Sequence, residues 1–191
     1  MTDRRTEILD GALHVLAEHG MRGLTHRAVD AAARIPPGSA SYYFRSRSAL
    51  VAGCVTRLVE IDLAVEIPAV LDAGPAKLLD VLTGFGVAMA TVQRHRTLAR
   101  YELSLAAVRD PELRVVLVAG GDTIRRLGAE ALRGLGVSDP DAAAAEVAAV
   151  LDGLVLTALV RGPQEPAALA AWLRPVLERV LAAYLPSRTG R

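Results

Sequence analysis

The chain has 191 residues, 52% of them apolar and only 4% aromatic, with a formal net charge of +1 and one cysteine. That length admits one large domain or a small one joined to a medium one. The lone Cys54 excludes an intrachain disulfide framework and a cysteine-rich metal site, and the overall charge gives no argument for a polyanionic partner.

Ala, Leu and Val dominate the apolar fraction, and no segment alternates apolar with polar residues as a half-buried strand does. An all-α protein is therefore expected. The charged start (Asp3, Arg4, Arg5, Glu7, Asp10) has no apolar signal core. The longest apolar stretch, Ala142–Val160, is interrupted by Glu146 and Asp152. A soluble, cytoplasmic chain with no membrane partner is the expectation, and Cys54, on an apolar helix, reads as a buried, inert thiol.

In chain order, a first helix is predicted from about Thr2 to His19, with Ile8, Ala12, Val15 and Leu16 as its apolar stripe and Gly20 as a left-handed stop. Two short helices with a tight break follow over about 25–43. Thr25 is placed to cap the first of them. Ala28, Val29 and Ala32 give that helix a small apolar inner face. Pro36 disfavours helix at Ile35, and Pro37 can open the second helix, which would carry Gly38 to Tyr43. This is the layout of a helix-turn-helix unit that sets its second helix in or beside a major groove. From Arg22 to Arg47 there are five arginines and one acid, Asp30, a local net of +4 that suits phosphate contact beside such a unit.

A long connector helix is predicted from Ser46 to about Ile67, with Leu50, Cys54, Leu58, Ile61 and Val65 at helical spacing, closed by Pro68 and Ala73-Gly74-Pro75. Further helices are predicted at about 75–95 (Leu78, Leu82, Phe85, Met89, Val92 on one face), 96–108 (Leu98, Tyr101, Leu105, Val108) and 111–135 (Leu113, Leu117, Ile124, Leu127, Ala131 inward). Ser138-Asp139-Pro140 opens an alanine-rich helix to about Val160, and a last one runs from Glu165 or Pro166 to Tyr184 before the polar tail 186–191. Two faces there are too apolar for solvent: Ala142, Ala145, Ala149, Asp152, Val155 and Leu159, and Leu169, Leu173, Val176, Val180 and Tyr184. Paired across a two-fold axis they would make a four-helix bundle, so a homodimer through residues 140–184 is expected.

Over about residues 6–52 the sequence resembles the TetR family of bacterial transcriptional regulators. The pieces, in order, are Ile8-Leu9-Asp10-Gly11-Ala12, Gly20 with Leu24-Thr25, Ala28-Val29, Ala32-Ala33, Ile35-Pro36-Pro37-Gly38-Ser39, Tyr42-Tyr43-Phe44, and Arg47 with Leu50. The resemblance implies a three-helix DNA-binding domain, here 1–47, and a helical ligand-binding and dimerisation domain, 48–191. It implies a palindromic double-stranded operator, repression released by a small-molecule effector, and a homodimer. Three positions depart from the pattern: Ser41 where family members often carry Tyr, Arg47 for the usual Lys, and Arg34 where the turn often has Gly.

On this reading Tyr43, Arg47 and Thr25 contact phosphates, Arg27, Ser39, Ala40 and Tyr42 face bases, Ser41 makes a short contact, and His26 touches a phosphate or water. Phe44 packs inward. Phe85, Met89, Tyr101, Leu105, Leu117 and Ile124 supply the bulk to line a cavity for a small, mostly hydrophobic effector, with Arg100, Glu102, Asp122, Thr123 and Asp152 as polar neighbours, solvated or paired. No enzyme is expected, and no cofactor or metal. His14, Glu18 and His19 have neither zinc-binding spacing, Gly38-Ser39-Ala40-Ser41 is no nucleophile elbow, and Gly84-x-Gly86 lacks the strand of a dinucleotide site. The alternative is a helical small-molecule-binding protein with no sequence-specific DNA role, which leaves the basic, aromatic cluster at 25–47 without a purpose.

Overall fold

The computed structural model describes residues 3–64 and 74–186. Among them lie nine α-helices and no strand: α1 (Arg4–Gly23), α2 (His26–Ala32), α3 (Ser39–Tyr43), α4 (Arg47–Leu63), α5 (Gly74–Ala90), α6 (Arg94–Ala107), α7 (Pro111–Gly134), α8 (Pro140–Arg161) and α9 (Pro166–Tyr184). Val65 and the expected run of the connector to Ile67, the Pro68 and Ala73 ends of its break, the start at Thr2 and the tail beyond Pro186 lie outside the described residues.

Local chemistry sets the helix starts. Thr25, Ser46 and Asp139 each accept a backbone N–H three residues on, at 3.1–3.2 Å. The Asp110 carboxylate accepts from Glu112 and Leu113 at 3.1 Å, and Pro140 occupies the first turn of α8, where no N–H is needed. Gly20 is left-handed (φ 62°), as its position suggested, but the helix kinks there and resumes to Gly23 instead of stopping.

The helices group into two compact units, Met1–Ala64 with Arg94–Asp122, and Val65–Gln93 with Thr123–Arg191. The expected boundary fell after residue 47. In the structure α4 shares the first unit's core instead, because Leu50, Val51, Cys54, Val55 and Leu58 are buried with Ile8, Leu9, Leu13 and Leu16 of α1. An α1–α4 ion pair ties the outside of that contact, Arg57 Nε and Nη2 gripping the Asp10 carboxylate at 2.8 and 3.2 Å. Burial pushes the Cys54 thiol up to about 12, which keeps it protonated and unreactive.

Helix α6 packs on α1 and α4, by a face the sequence pattern did not select. Thr97, Ala99, Leu103 and Ala107 are buried, whereas Leu105 is 61% exposed and Val108 is exposed. Small residues let the two backbones approach closely, so the bulkier stripe is left outside. The α6–α4 contact includes Asp62, buried, whose carboxylate takes both 2.7 and 2.9 Å bonds from Arg100 Nη2.

The His14 and His95 rings stack between α1 and α6, with centroids 4.7 Å apart. Burial, then the His14 and Arg96 charges, hold His95 below its ordinary value of 6.5, with Asp10 pulling the other way. The native state therefore resists a proton that the unfolded chain accepts. This contribution to stability is complete above about pH 6.5 and is lost as the pH falls through that value toward the lower folded one. Urea unfolding at about pH 8 and about pH 5 is expected to show a drop in midpoint that His95→Gln reduces. An equal drop in the variant would assign the pH dependence elsewhere.

In the second unit α5 packs on α8 and α9. Gly86 makes room for it: a Cβ there would lie 2.9 Å from Leu151 Cδ1 and 3.1 Å from Leu173 Cδ1. Arg174 reaches Asp80 at 2.6 Å, and the Tyr184 hydroxyl donates to Glu146. Three residues assigned to a dimer face turn inward instead: Val155, Leu169 and Leu173 are fully buried in this core. The exposed side of α8 carries a stripe of Ala142, Ala145, Ala149, Gly153, Leu156 and Val160, flanked by the exposed carboxylates Glu146 and Asp152. By length and composition α8 could cross a membrane, with a mean hydropathy of 1.9 over its most apolar window. One side of it is the core of this unit.

Candidate nucleic-acid interface

The reading head is built from α2 and α3 and braced by α1 and α4. Its organising group is Asp30, which is buried on α2. Its two carboxylate oxygens accept the Gly38 and Ala40 N–H groups, each at 2.7 Å. These are the first donors of α3, which a five-residue helix cannot satisfy internally. A negative charge at that end also suits the helix dipole. Two left-handed residues shape the approach, Arg34 (φ 55°) and Gly38 (φ 91°). Gly38 is thus the N-cap of α3 and not part of it, so the helix starts two residues later than Pro37 suggested.

The far end of α3 is fixed just as firmly. Phe44 is buried as expected, its N–H on Ala40 O at 2.9 Å, with the Arg5 guanidinium 4.5 Å above its ring. Gly53 of α4 admits that ring, since a Cβ there would lie 2.8 Å from Phe44 Cε1. His26 Nε2 donates to Phe44 O at 2.7 Å, closing α2 onto the end of α3. His26 is therefore a brace within the head, where the sequence offered a phosphate contact or a solvated ring.

The nine residues assigned to DNA separate into groups. Tyr42 and Tyr43 stand outward, 71% and 39% exposed, their rings edge to face at 5.4 Å. Arg27 and Thr25 are exposed at the start of α2, with the Thr25 oxygen occupied by its cap. The Ser39 and Ser41 hydroxyls donate to Pro36 O and Gly38 O at 2.6 and 2.9 Å. Their protons are spent on the backbone, which leaves these side chains as acceptors. Ala40 departs from expectation: it is wholly buried against the head's core and presents no methyl to a base. Arg47 is exposed, but its guanidinium folds back, Nε donating to Leu24 O at 3.3 Å and Nη2 to Met21 O.

Two residues of the head escaped the sequence reading. In the sequence Asp30 stands out only as the one acid among five arginines. Arg45 lies with its guanidinium 5.9 Å from the Tyr42 ring centroid and extends the outward cluster. Arg22, Arg27, Arg34, Arg45 and Arg47 are all exposed, whereas Asp30 is buried and its charge is met by backbone N–H groups. The surface from 22 to 47 is therefore cationic with exposed aromatic rings, the combination that binds phosphates while offering side chains to base edges.

The six residues assigned to an effector fall in both units. Leu105 is exposed. Met89 is buried in the second unit's core, Phe85 and Ile124 are half-buried there, and Tyr101 and Leu117 are half-buried in the first unit. A crevice of ≈ 420 Å³ in the first unit involves none of them; its walls include Met21, Arg47, Val51, Asp110 and Leu113. Among the described residues no cluster of three or more His, Cys, Asp or Glu side chains could hold a metal ion.

Residues 8–54 match the family model described as bacterial regulatory proteins, tetR family, and residues 73–184 match that of the tetracyclin repressor-like C-terminal domain. No curated protein matches the chain. Among solved structures, a member of the TetR family from Streptomyces coelicolor A3 is 30% identical, with 97% of this chain and 99% of that one covered and a TM-score of 0.72. The multidrug binding protein EbrR, in its complex with ethidium, is 30% identical, with 93% and 98% covered and a TM-score of 0.69. A transcriptional regulator from Rhodococcus sp. Rha1 is 22% identical, with 95% and 97% covered and a TM-score of 0.75, a likeness of fold. With its helix-turn-helix head and its C-terminal domain both matched, the chain belongs to the TetR family of bacterial, DNA-binding transcriptional regulators.

Proposed function

We propose that this regulator is a homodimeric repressor that binds a palindromic operator and leaves it when a small, mostly hydrophobic effector binds. The carrying observation is the cationic, aromatic surface of 22–47, presented on a backbone that Asp30, His26 and Arg47 hold rigid. A rigid head is what base reading needs. Arg27, Tyr42 and the acceptor hydroxyls of Ser39 and Ser41 face base edges, while Tyr43, Arg45, Thr25 and the remaining donors of Arg47 meet phosphates. Dimerisation through residues 140–184 is supported by the exposed small and apolar side of α8, and a two-fold dimer presents two heads to two half-sites.

The effector reading rests on family membership and on a 30% identical relative whose structure holds ethidium, a flat aromatic cation. Release requires the effector to favour the conformation that does not fit DNA, typically by about 1–3 kcal/mol of coupling. The test is transcription in vitro from a promoter carrying a duplex that the protein has selected from a random pool. Added protein is expected to lower the transcript level. Tetraphenylphosphonium, an apolar cation that does not intercalate, is expected to restore it. Transcription that rises on adding the protein would contradict repression, and transcription that stays low at saturating cation would contradict an effector of this class.

A further inference from the structure

The backbone of Met21 is held at both its N–H and its C=O. Its N–H donates to Glu102 Oε2 of α6 at 3.1 Å, and its C=O accepts from Arg47 Nη2 of α4. The same arginine holds Leu24 O through Nε, one residue before the Thr25 cap that begins α2. The Glu102 carboxylate fits there only because residue 20 is glycine in a left-handed bend. A Cβ on Gly20 would stand 2.9 Å from Oε2. The kink also frees the Met21 N–H from the regular helix pattern, which makes it available to an outside acceptor. All of these residues belong to the first unit.

We propose that Glu102 is a positioning residue for DNA reading: by accepting the Met21 N–H it registers the end of α1, and through the Arg47 clasp the start of α2, on helix α6. This rests on the reading of α2 and α3 as the DNA-reading elements. The bond of Glu102 is to the Met21 backbone. It fixes the point at which the chain turns from α1 into the head, so its loss lets α2 shift relative to α4. Contacts to particular bases depend on that register. Contacts to phosphates in general do not, because they follow charge more than placement.

The test compares Glu102→Met and Glu102→Gln in the full chain. Both remove one negative charge and keep the stem; only Gln retains an oxygen that accepts the Met21 N–H. Glu102→Met is expected to weaken binding to the wild-type-selected duplex about tenfold, the scale of one hydrogen bond to a charged group. Its affinity for random duplex is expected to equal that of Glu102→Gln, and Glu102→Gln is expected to recover selected-duplex binding. In DNA-free protein, amide exchange at Met21 should speed up in the Met variant and return in the Gln variant. Combined with Arg47→Ala, the Met substitution should cost less than the product of the two single losses, because both act on the backbone of one residue, Met21.

Three results would overturn the proposal. One is faster Met21 exchange in Glu102→Met with selected-duplex affinity unchanged within about twofold of wild type. Another is Glu102→Gln losing as much as Glu102→Met. The third is strict multiplication of the Arg47 and Glu102 losses. If the wild type selects no duplex, DNA reading itself fails, whereas the exchange comparison still reads the Glu102–Met21 bond.

Discussion

Asp30→Ala is expected to cost about 2–3 kcal/mol of stability in the first unit and to abolish preference for the selected duplex. The magnitude follows from what is left behind. The Ala40 N–H is buried with its acceptor gone, so its full desolvation cost appears. The Gly38 N–H lies nearer solvent and can recover a water, so it contributes less. A loss of this size lowers the melting temperature by roughly 5–10 °C for a chain of this length. The effect on DNA goes beyond stability, because α3 has five residues and this carboxylate holds the N–H groups at its start. Asp30→Asn should fall between, since one amide oxygen can satisfy one donor while the amide nitrogen faces the other. Thermal unfolding and duplex binding of the two variants, measured at a temperature where both are folded, check this. Wild-type melting and binding in Asp30→Ala would show that the head is organised otherwise.

The second large effect concerns assembly. Leu156→Glu combined with Val160→Glu is expected to convert the dimer to a 20.2 kDa monomer in sedimentation. Both side chains stand out on α8, 49% and 75% exposed, in line with Ala142, Ala145, Ala149 and Gly153. Carboxylates there cost the isolated chain little but cannot be buried against a second copy without partners. The helix content should therefore persist. Binding to the selected duplex should fall by roughly 10²-fold or more, because the second half-site is then met at bulk concentration and not as a tethered neighbour. A double variant that remains dimeric would move the interface away from this face of α8.

The parts of this molecule that were legible in the sequence are those decided by a few neighbouring residues. Thr25, Ser46 and Asp139 announced their helices because a cap needs only a hydroxyl or carboxylate three residues before a backbone N–H. Gly20 showed its left-handed backbone, though as a kink and not as the predicted stop, and Pro140 marked a start. Arg34 stood out as a non-glycine in the turn, and it does adopt a left-handed φ.

What stayed hidden depends on residues far apart or on which of two faces wins. Helix α6 carries two usable stripes, and a search by bulk selects Leu105 and Val108, whereas close packing on α1 selects Ala99, Leu103 and Ala107. The same preference for bulk puts Val155, Leu169 and Leu173 on a dimer face, although α5 covers that side of α8 and α9. Helix α3 is too short to show any periodicity, so the burial of Ala40 could not be read. Asp30 looked like a lone acid among arginines; its role exists only once the turn brings Gly38 and Ala40 back to it. By position Glu102 groups with the effector region, and its bond to the head exists only because the kink at Gly20 leaves room for the carboxylate beside the Met21 N–H.

The central claim is that this chain reads base sequence with α2 and α3 as a two-fold dimer. Its most direct test is equilibrium binding of the wild type, at moderate salt, to the selected duplex and to a random duplex of equal length, with stoichiometry. The account predicts two protomers on a roughly palindromic site and an affinity at least about 10³-fold above that for random DNA. Equal affinity for the two duplexes would contradict it.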